Sequence, residues 1–195
     1  MENNKKLQFI TRKTNLDCGH RVMNERMKCF MLHGHTYLTE LMFSFENIEE
    51  IGYAIDFKEI KRVFIQFLQD KMDHGMLLNP QDHEIIETIK KLNSKLWLMS
   101  LNGKDEYCNP TVENITKEVF ISMMVISHVL YGNSPTGLKI HRVRMYETPN
   151  CWSDCYQDSI SELEMRNFTE FRFEEIKQYS LNKGIIEYDE RKTIS

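Results

Sequence analysis

Residues 36–45, TYLTELMFSF, decide the fold: Tyr37, Thr39, Leu41, Phe43 and Phe45 alternate with their neighbours, the period of a strand with one face on a core. A shorter strand is expected at residues 7–12, with His20 ending the strand region that precedes this one. Downstream, Asp56 caps a segment in which Phe57, Ile60, Phe64, Phe67, Leu68 and Met72 recur at helical spacing, ending at Asp73-His74-Gly75. After a loop with a short strand at 96–99, Asn109-Pro110-Thr111 opens a second helix through Val129. Glu113 stands in its first turn, where the helix dipole favours a carboxylate. Two more strands are expected at 138–146 and 151–156. The order β-β-α-α-β-β predicts an α+β domain, a four-stranded antiparallel sheet with two helices on one face.

The 195 residues, 41% hydrophobic and 28% charged, are enough for one domain with a core. Twenty-five basic and 29 acidic side chains leave a net charge of -4, so no global basic field is available to gather nucleic acid or an anionic membrane. No run reads as a secretory signal or a membrane span, and a cytoplasmic location is expected. Five cysteines are then expected to be reduced thiols. No repeat and no flexible linker divides the chain. The composition shifts near residue 157. Residues 1–156 are read as the domain and 157–195 as a C-terminal extension, with an amphipathic helix over 161–179 docking through Leu163, Phe168, Phe171 and Ile176.

The densest chemical constellation is His20, Cys29 and His33-Gly34-His35. Residues two apart on a strand share a face, so His33 and His35 can address one cation, with His20 as the third nitrogen. Three imidazoles leave a fourth zinc position open, the arrangement of a catalytic site. An isolated H-x-H is more often a pair of solvent-facing histidines; His20 and Cys29 shift the balance. Cys29, near that cation and near Arg26 and Lys28, would be stabilised as a thiolate and could act as base or nucleophile, or be a small buried hydrophobe. Cys18 could face the same metal. Asp73-His74 can pair as carboxylate and imidazole, and Glu147 could hold an amidine-like ring edge; each alone is also an ordinary helix end or turn.

Taken together these residues resemble the 6-pyruvoyltetrahydropterin synthase and 6-carboxytetrahydropterin synthase family. The resemblance runs through CGHRV, CFMLHGHTY, YAIDFKEIK, MDHGMLLN, NPTVENI and YETPNCWSDCY, in that order. It implies the tunnelling fold, in which antiparallel hairpins and a helix pair assemble through trimers into a β-barrel homo-oligomer, a hexamer. It implies a pterin triphosphate substrate, dihydroneopterin triphosphate, and zinc held by His20, His33 and His35. Cys29 would abstract a proton from the substrate side chain, and Asp73 and His74 of a neighbouring subunit would return one. Glu147 would grip the pterin ring, and Thr111 would add a ring contact.

Three residues separate Cys29 from His33, which resembles the carboxy subgroup of queuosine (7-deazaguanine) synthesis, whose members release triphosphate and acetaldehyde. The pyruvoyl subgroup, a triphosphate-eliminating lyase, is the alternative. A non-catalytic zinc-stabilised oligomer would show a damaged residue set. Arg21, Arg26, Lys28 and Arg144 are the cations available for triphosphate.

Overall fold

The structure, a computed structural model, describes residues 7–24, 26 and 28–184. Two long strands, β1 (Gln8–His20) and β2 (His33–Phe45), pair antiparallel from Gln8 opposite Phe45 to His20 opposite His33. A continuous helical run follows: α1 (Phe57–Glu59), a π-type segment (Ile60–Ile65) and α2 (Gln66–Lys71). Asp56 starts it, its Oδ1 accepting from Lys58 N at 2.8 Å. Then come β3 (Gly75–Leu78), α3 (His83–Lys91), β4 (Leu96–Leu98) and the long α4 (Val112–Tyr131), capped by Thr111. The hairpin β5 (Lys139–Thr148) and β6 (Cys151–Cys155) leads to α5 (Glu162–Gly184).

The sheet differs from the expected four antiparallel strands. It has six, in the order β4-β3-β1-β2-β5-β6, with β3 parallel to β1 and β4 parallel to β3. The four strands expected in the sheet form its antiparallel part, and the short strand expected at 96–99 is β4. Beta-one is also longer than the 7–12 expectation, because its second half interleaves polar residues whose faces only pairing with β2 assigns. Beta-three occupies only Cys18–His20, so the same side of residues 8–17 carries no strand among the described residues.

One face holds the core. Leu16, Tyr37, Leu41, Phe43, Val143 and Met145 pack there against Phe64, Phe67, Ile115 and Val119 of the helices. The helices are not confined to that face. Met76, Leu78, Leu96 and Leu98 form a separate cluster with Ile86 and Ile89 of α3, and alternation places them opposite Leu77 and Trp97 of the main core. Alpha-three thus covers the other face at the β3–β4 edge. The rest of that face carries Lys13, Glu40, Arg142, Arg144 and Asp154 in a chain of ion pairs.

Alpha-four is buried nearly all round, including Ile115, Val119, Ile121, Val125 and Ile126, because α5 covers the side turned away from the sheet. Phe168 and Ile176 enter the main core as expected. Leu163 does not: it is 55% exposed, since the neighbouring Glu164 turns inward to Lys117 Nζ at 2.6 Å. Phe171 is half-buried. The helix also outruns its expected end at 179, and residues 185–195 of the extension lie outside the described residues. Arg172 lies 4.0 Å over the Trp97 ring and donates to Leu98 O at 2.7 Å, fastening α5 to β4. Changing Phe168 to alanine is expected to cost about 3–5 kcal/mol, read as a lowered midpoint in chemical denaturation. A loss below about 1 kcal/mol would mean that α5 is a loose cover rather than part of the core.

Candidate active site

The site is built at the end of the β1–β2 ladder. His20 and His33 are direct cross-strand partners, and His35 faces Cys18 two residues along. Directly opposed residues share a face, so all three imidazoles project on the core side. Their ligand atoms lie within 4.8 Å of one another, with ring centroids 4.5, 5.2 and 4.9 Å apart. Gly34 faces Gly19 on the other side. The Met76 thioether lies over Gly19, where a Cβ would make it move.

The hydrogen bonds say which nitrogens are available. His20 Nδ1 bonds Pro110 O at 2.8 Å and His33 Nδ1 bonds Met31 O at 2.7 Å. A carbonyl can only accept, so both Nδ1 atoms carry a proton, and in the neutral rings both Nε2 atoms present lone pairs. The two Nε2 atoms lie 3.1 Å apart, a contact that is repulsive between neutral rings and that a cation between them would turn into ligation. Burial holds His20, 1% exposed, below the ordinary imidazole range, which keeps it in the neutral form that binds metals. The trio therefore fits a divalent cation with nitrogen preference.

Glu147, near the end of β5, brings its Oε1 to 3.8 Å from His20 Nε2 and 3.9 Å from His35 Nε2. Tyr37 forms the floor, its ring 6.1 and 5.6 Å from those of His20 and His35. It is fully buried, and its hydroxyl has no hydrogen-bond partner among the described residues. Sequence reasoning counted Tyr37 only as a strand residue.

Cys29 sits in a 3-10 turn, Lys28–Phe30, half-buried, in the loop leading to His33. Val22 N closes that loop by donating to Cys29 O at 2.8 Å. Cys18 does not join the imidazole cluster: its Sγ donates to Met72 O at 3.3 Å. Burial, aided by the charges of Asp73 and Asp17, pushes its thiol up to about 12. All five cysteines are free.

Asp73 and His74 are not brought to the imidazoles of their own chain. Asp73 Oδ1 accepts from Asp17 N at 2.7 Å, and its Oδ2 holds His74 Nδ1 at 3.0 Å. Asp17 pairs with Thr36, whose hydroxyl donates to it at 2.5 Å. These two alternate with Cys18 and His35 and so project from the opposite face. His74, at a φ of 55°, turns its ring outward, 76% exposed. The two halves of the expected catalytic set thus lie on opposite faces of one sheet.

Thr111 Oγ1 accepts from Asn114 N at 3.5 Å as the cap of α4, next to the carbonyl that holds His20. Of the four cations, Arg144 is gripped by Asp154 at 2.7 and 2.6 Å on the far face. Arg21 stacks on Phe30 at 4.2 Å and lies 3.5 Å from Asp82. Arg26 and Lys28 are exposed. Among the described residues no helix is long and apolar enough to cross a membrane.

A family model described as 6-pyruvoyl tetrahydropterin synthase matches residues 9–158. A curated relative, the 6-carboxy-5,6,7,8-tetrahydropterin synthase of Rickettsia felis, is 31% identical over 147 residues, covering 73% of this chain and 95% of the relative. The enzyme of the same name from Haemophilus influenzae is 25% identical over 155 residues, 76% of this chain and 98% of the relative. Among solved structures, 6-pyruvoyl tetrahydropterin synthase from Plasmodium vivax superposes with a TM-score of 0.57 at 15% identity, covering 78% of this chain and 98% of that one. The Caenorhabditis elegans 6-pyruvoyl tetrahydropterin synthase gives 0.52 at 18%, covering 77% and 96%. At these identities the structural likeness bears on the fold alone.

Proposed function

The chain belongs to the 6-pyruvoyl tetrahydropterin synthase family, and from that premise we propose that it is a zinc-dependent 6-carboxy-5,6,7,8-tetrahydropterin synthase. It would convert 7,8-dihydroneopterin triphosphate to 6-carboxytetrahydropterin, triphosphate and acetaldehyde, in the synthesis of queuosine precursors. The observation that carries the reading is the convergence of bare imidazole nitrogens with the Glu147 carboxylate under 4 Å from two of them. The curated relatives at about 31% identity bear the carboxy name. The three-residue gap between Cys29 and His33 favours that product over the pyruvoyl one. The intact residue set speaks against a non-catalytic module.

His20, His33 and His35 would hold the zinc, which when bound supplies a Lewis acid for the side-chain hydroxyls of the substrate. Cys29 takes the carbon-bound proton, its loop folding back over β1 through Val22. Glu147 accepts from the amidine-like edge of the pterin ring, a charge-assisted pair that fixes the ring's rotation; Thr111 adds a ring contact. Asp73 keeps the Nδ1 proton of His74 in place, leaving Nε2 to exchange a proton with substrate bound on a neighbouring subunit. Arg26 and Lys28 are exposed and available to triphosphate. The active form would be a homo-oligomer, a hexamer built from trimers, with residues 157–195 a C-terminal extension of the single domain and not a second one. A reducing cytoplasm suits five unpaired thiols.

Metal analysis tests the ligand set. The purified protein is expected to carry one zinc per subunit, and His33→Ala and His35→Ala should each purify nearly metal-free. Full metal content in both variants would show that the imidazole cluster is not the site. Product analysis by mass separates the two subgroups: acetaldehyde appears only in the carboxy reaction.

A further inference from the structure

The short segment 107–110, between β4 and α4, touches the site's framework at three points. Pro110 O accepts from His20 Nδ1 at 2.8 Å. Asn109 Oδ1 accepts from Met23 N at 2.9 Å, and the Tyr107 hydroxyl donates to Met23 O at 2.8 Å. Met23 lies beside Val22 in the loop that carries Cys29, so both amide groups of one loop residue are gripped from outside the loop.

Asn109 is the centre of this arrangement. Its Oδ1 also accepts from Asn79 Nδ2 at 3.0 Å, and its Nδ2 donates to the Tyr107 hydroxyl at 2.9 Å. Its own carbonyl accepts from Asn114 Nδ2 and Thr111 N, both at 2.9 Å. Asn79, fully buried, backs it by accepting with Oδ1 from Gln81 N at 3.0 Å and Cys108 N at 3.4 Å. Only a carboxamide offers an acceptor and a donor side by side in one plane. The next residue's carbonyl orients a proposed metal ligand, while the Asn109 side chain orients the thiol loop. Through one residue the two are placed relative to each other.

We propose that Asn109, backed by Asn79, is a positioning residue that sets His20 and the Cys29 loop in a common frame. The proposal rests on the pterin reading for the roles of His20 and Cys29. Aspartate at 109 keeps both accepted bonds and loses the donated one. Leucine leaves Met23 N and Asn79 Nδ2 without their acceptor and takes one donor from the Tyr107 hydroxyl. Tyr107→Phe, at a half-exposed position, frees Met23 O and the Asn109 Nδ2 donor and keeps both bonds that Asn109 Oδ1 accepts.

The test measures zinc affinity by chelator competition, Cys29 alkylation by iodoacetamide with mass-spectrometric assignment, and kcat and KM separately, in folded full-length protein. Asn109→Leu is expected to weaken zinc binding about 10-fold, to change the Cys29 alkylation rate, and to lower kcat about 10²-fold with KM little moved. Asn109→Asp should recover most of each loss. Tyr107→Phe should alter alkylation and leave zinc affinity at its wild-type value. Folded Asn109→Leu with wild-type zinc affinity and wild-type alkylation overturns the proposal, and so does an aspartate variant no better than the leucine one. If Asn109→Leu fails to fold, Tyr107→Phe decides, and an unchanged alkylation rate sinks it. Zinc binding and alkylation need no substrate. Wild-type protein that binds zinc but leaves dihydroneopterin triphosphate intact would refute the pterin reading without touching this one.

Discussion

Changing Cys29 to serine or alanine is expected to lower turnover of dihydroneopterin triphosphate by about 10²–10⁴-fold while zinc content and melting temperature stay at their wild-type values. On the proposed reading the thiol takes a proton, and its half-buried turn adds little to the core. Cys18→Ala should be mild in turnover, because that thiol, pushed up to about 12 and bonded to Met72 O, stays protonated at neutral pH. The outcome that reverses these roles is an inactive Cys18→Ala enzyme beside an active Cys29→Ala one. Loss of zinc from either variant would make that cysteine a ligand instead.

Co-expressing Cys29→Ala with His74→Ala, each inactive alone, is expected to restore activity. The Asp17 carboxylate, which clusters with Asp73 and His74, projects with Thr36 from the face opposite His20, His33 and His35. No side-chain rotation carries His74 through the sheet. If the pair serves a neighbouring copy, random mixing gives both wild-type groups to roughly one site in four, the product of two halves. Activity near a quarter of wild type in verified mixed oligomers supports sites shared between subunits; none at all would place the whole reaction on one chain.

The antiparallel part of the sheet was legible because each strand alternates cleanly or sits beside a strong turn. The helix opened by Asp56 and the one opened by Thr111 carried both their caps and their periods. Strand β3 was not legible: four residues, Gly-Met-Leu-Leu, bury both faces and show no alternation. Alpha-three has Ile86 and Ile89 at helical spacing, but nine residues between polar turns are easily read as loop. Strand spacing put His33 and His35 on one face, and His20, together with Cys29, was what made the pair readable as a metal site. The supporting asparagines were not, although both precede proline, at Asn79-Pro80 and Asn109-Pro110, which marks extended backbone and says nothing about what the amides bond. The side of the sheet to which Asp73 and His74 belong needed the pairing of Asp17 with Thr36.

The all-round burial of α4 also fixes an order of events during synthesis. Its covering helix is made later: Ile176 lies fifty residues after Ile126, and both end in one core. At about 5–20 residues per second, roughly 2.5–10 s pass between the emergence of the two. Through that interval the apolar flank of α4 faces solvent on the ribosome, available to chaperones or to other nascent chains. Slowing translation should lengthen that exposure and lower the soluble yield, whereas a chaperone that shields one helical face should raise it.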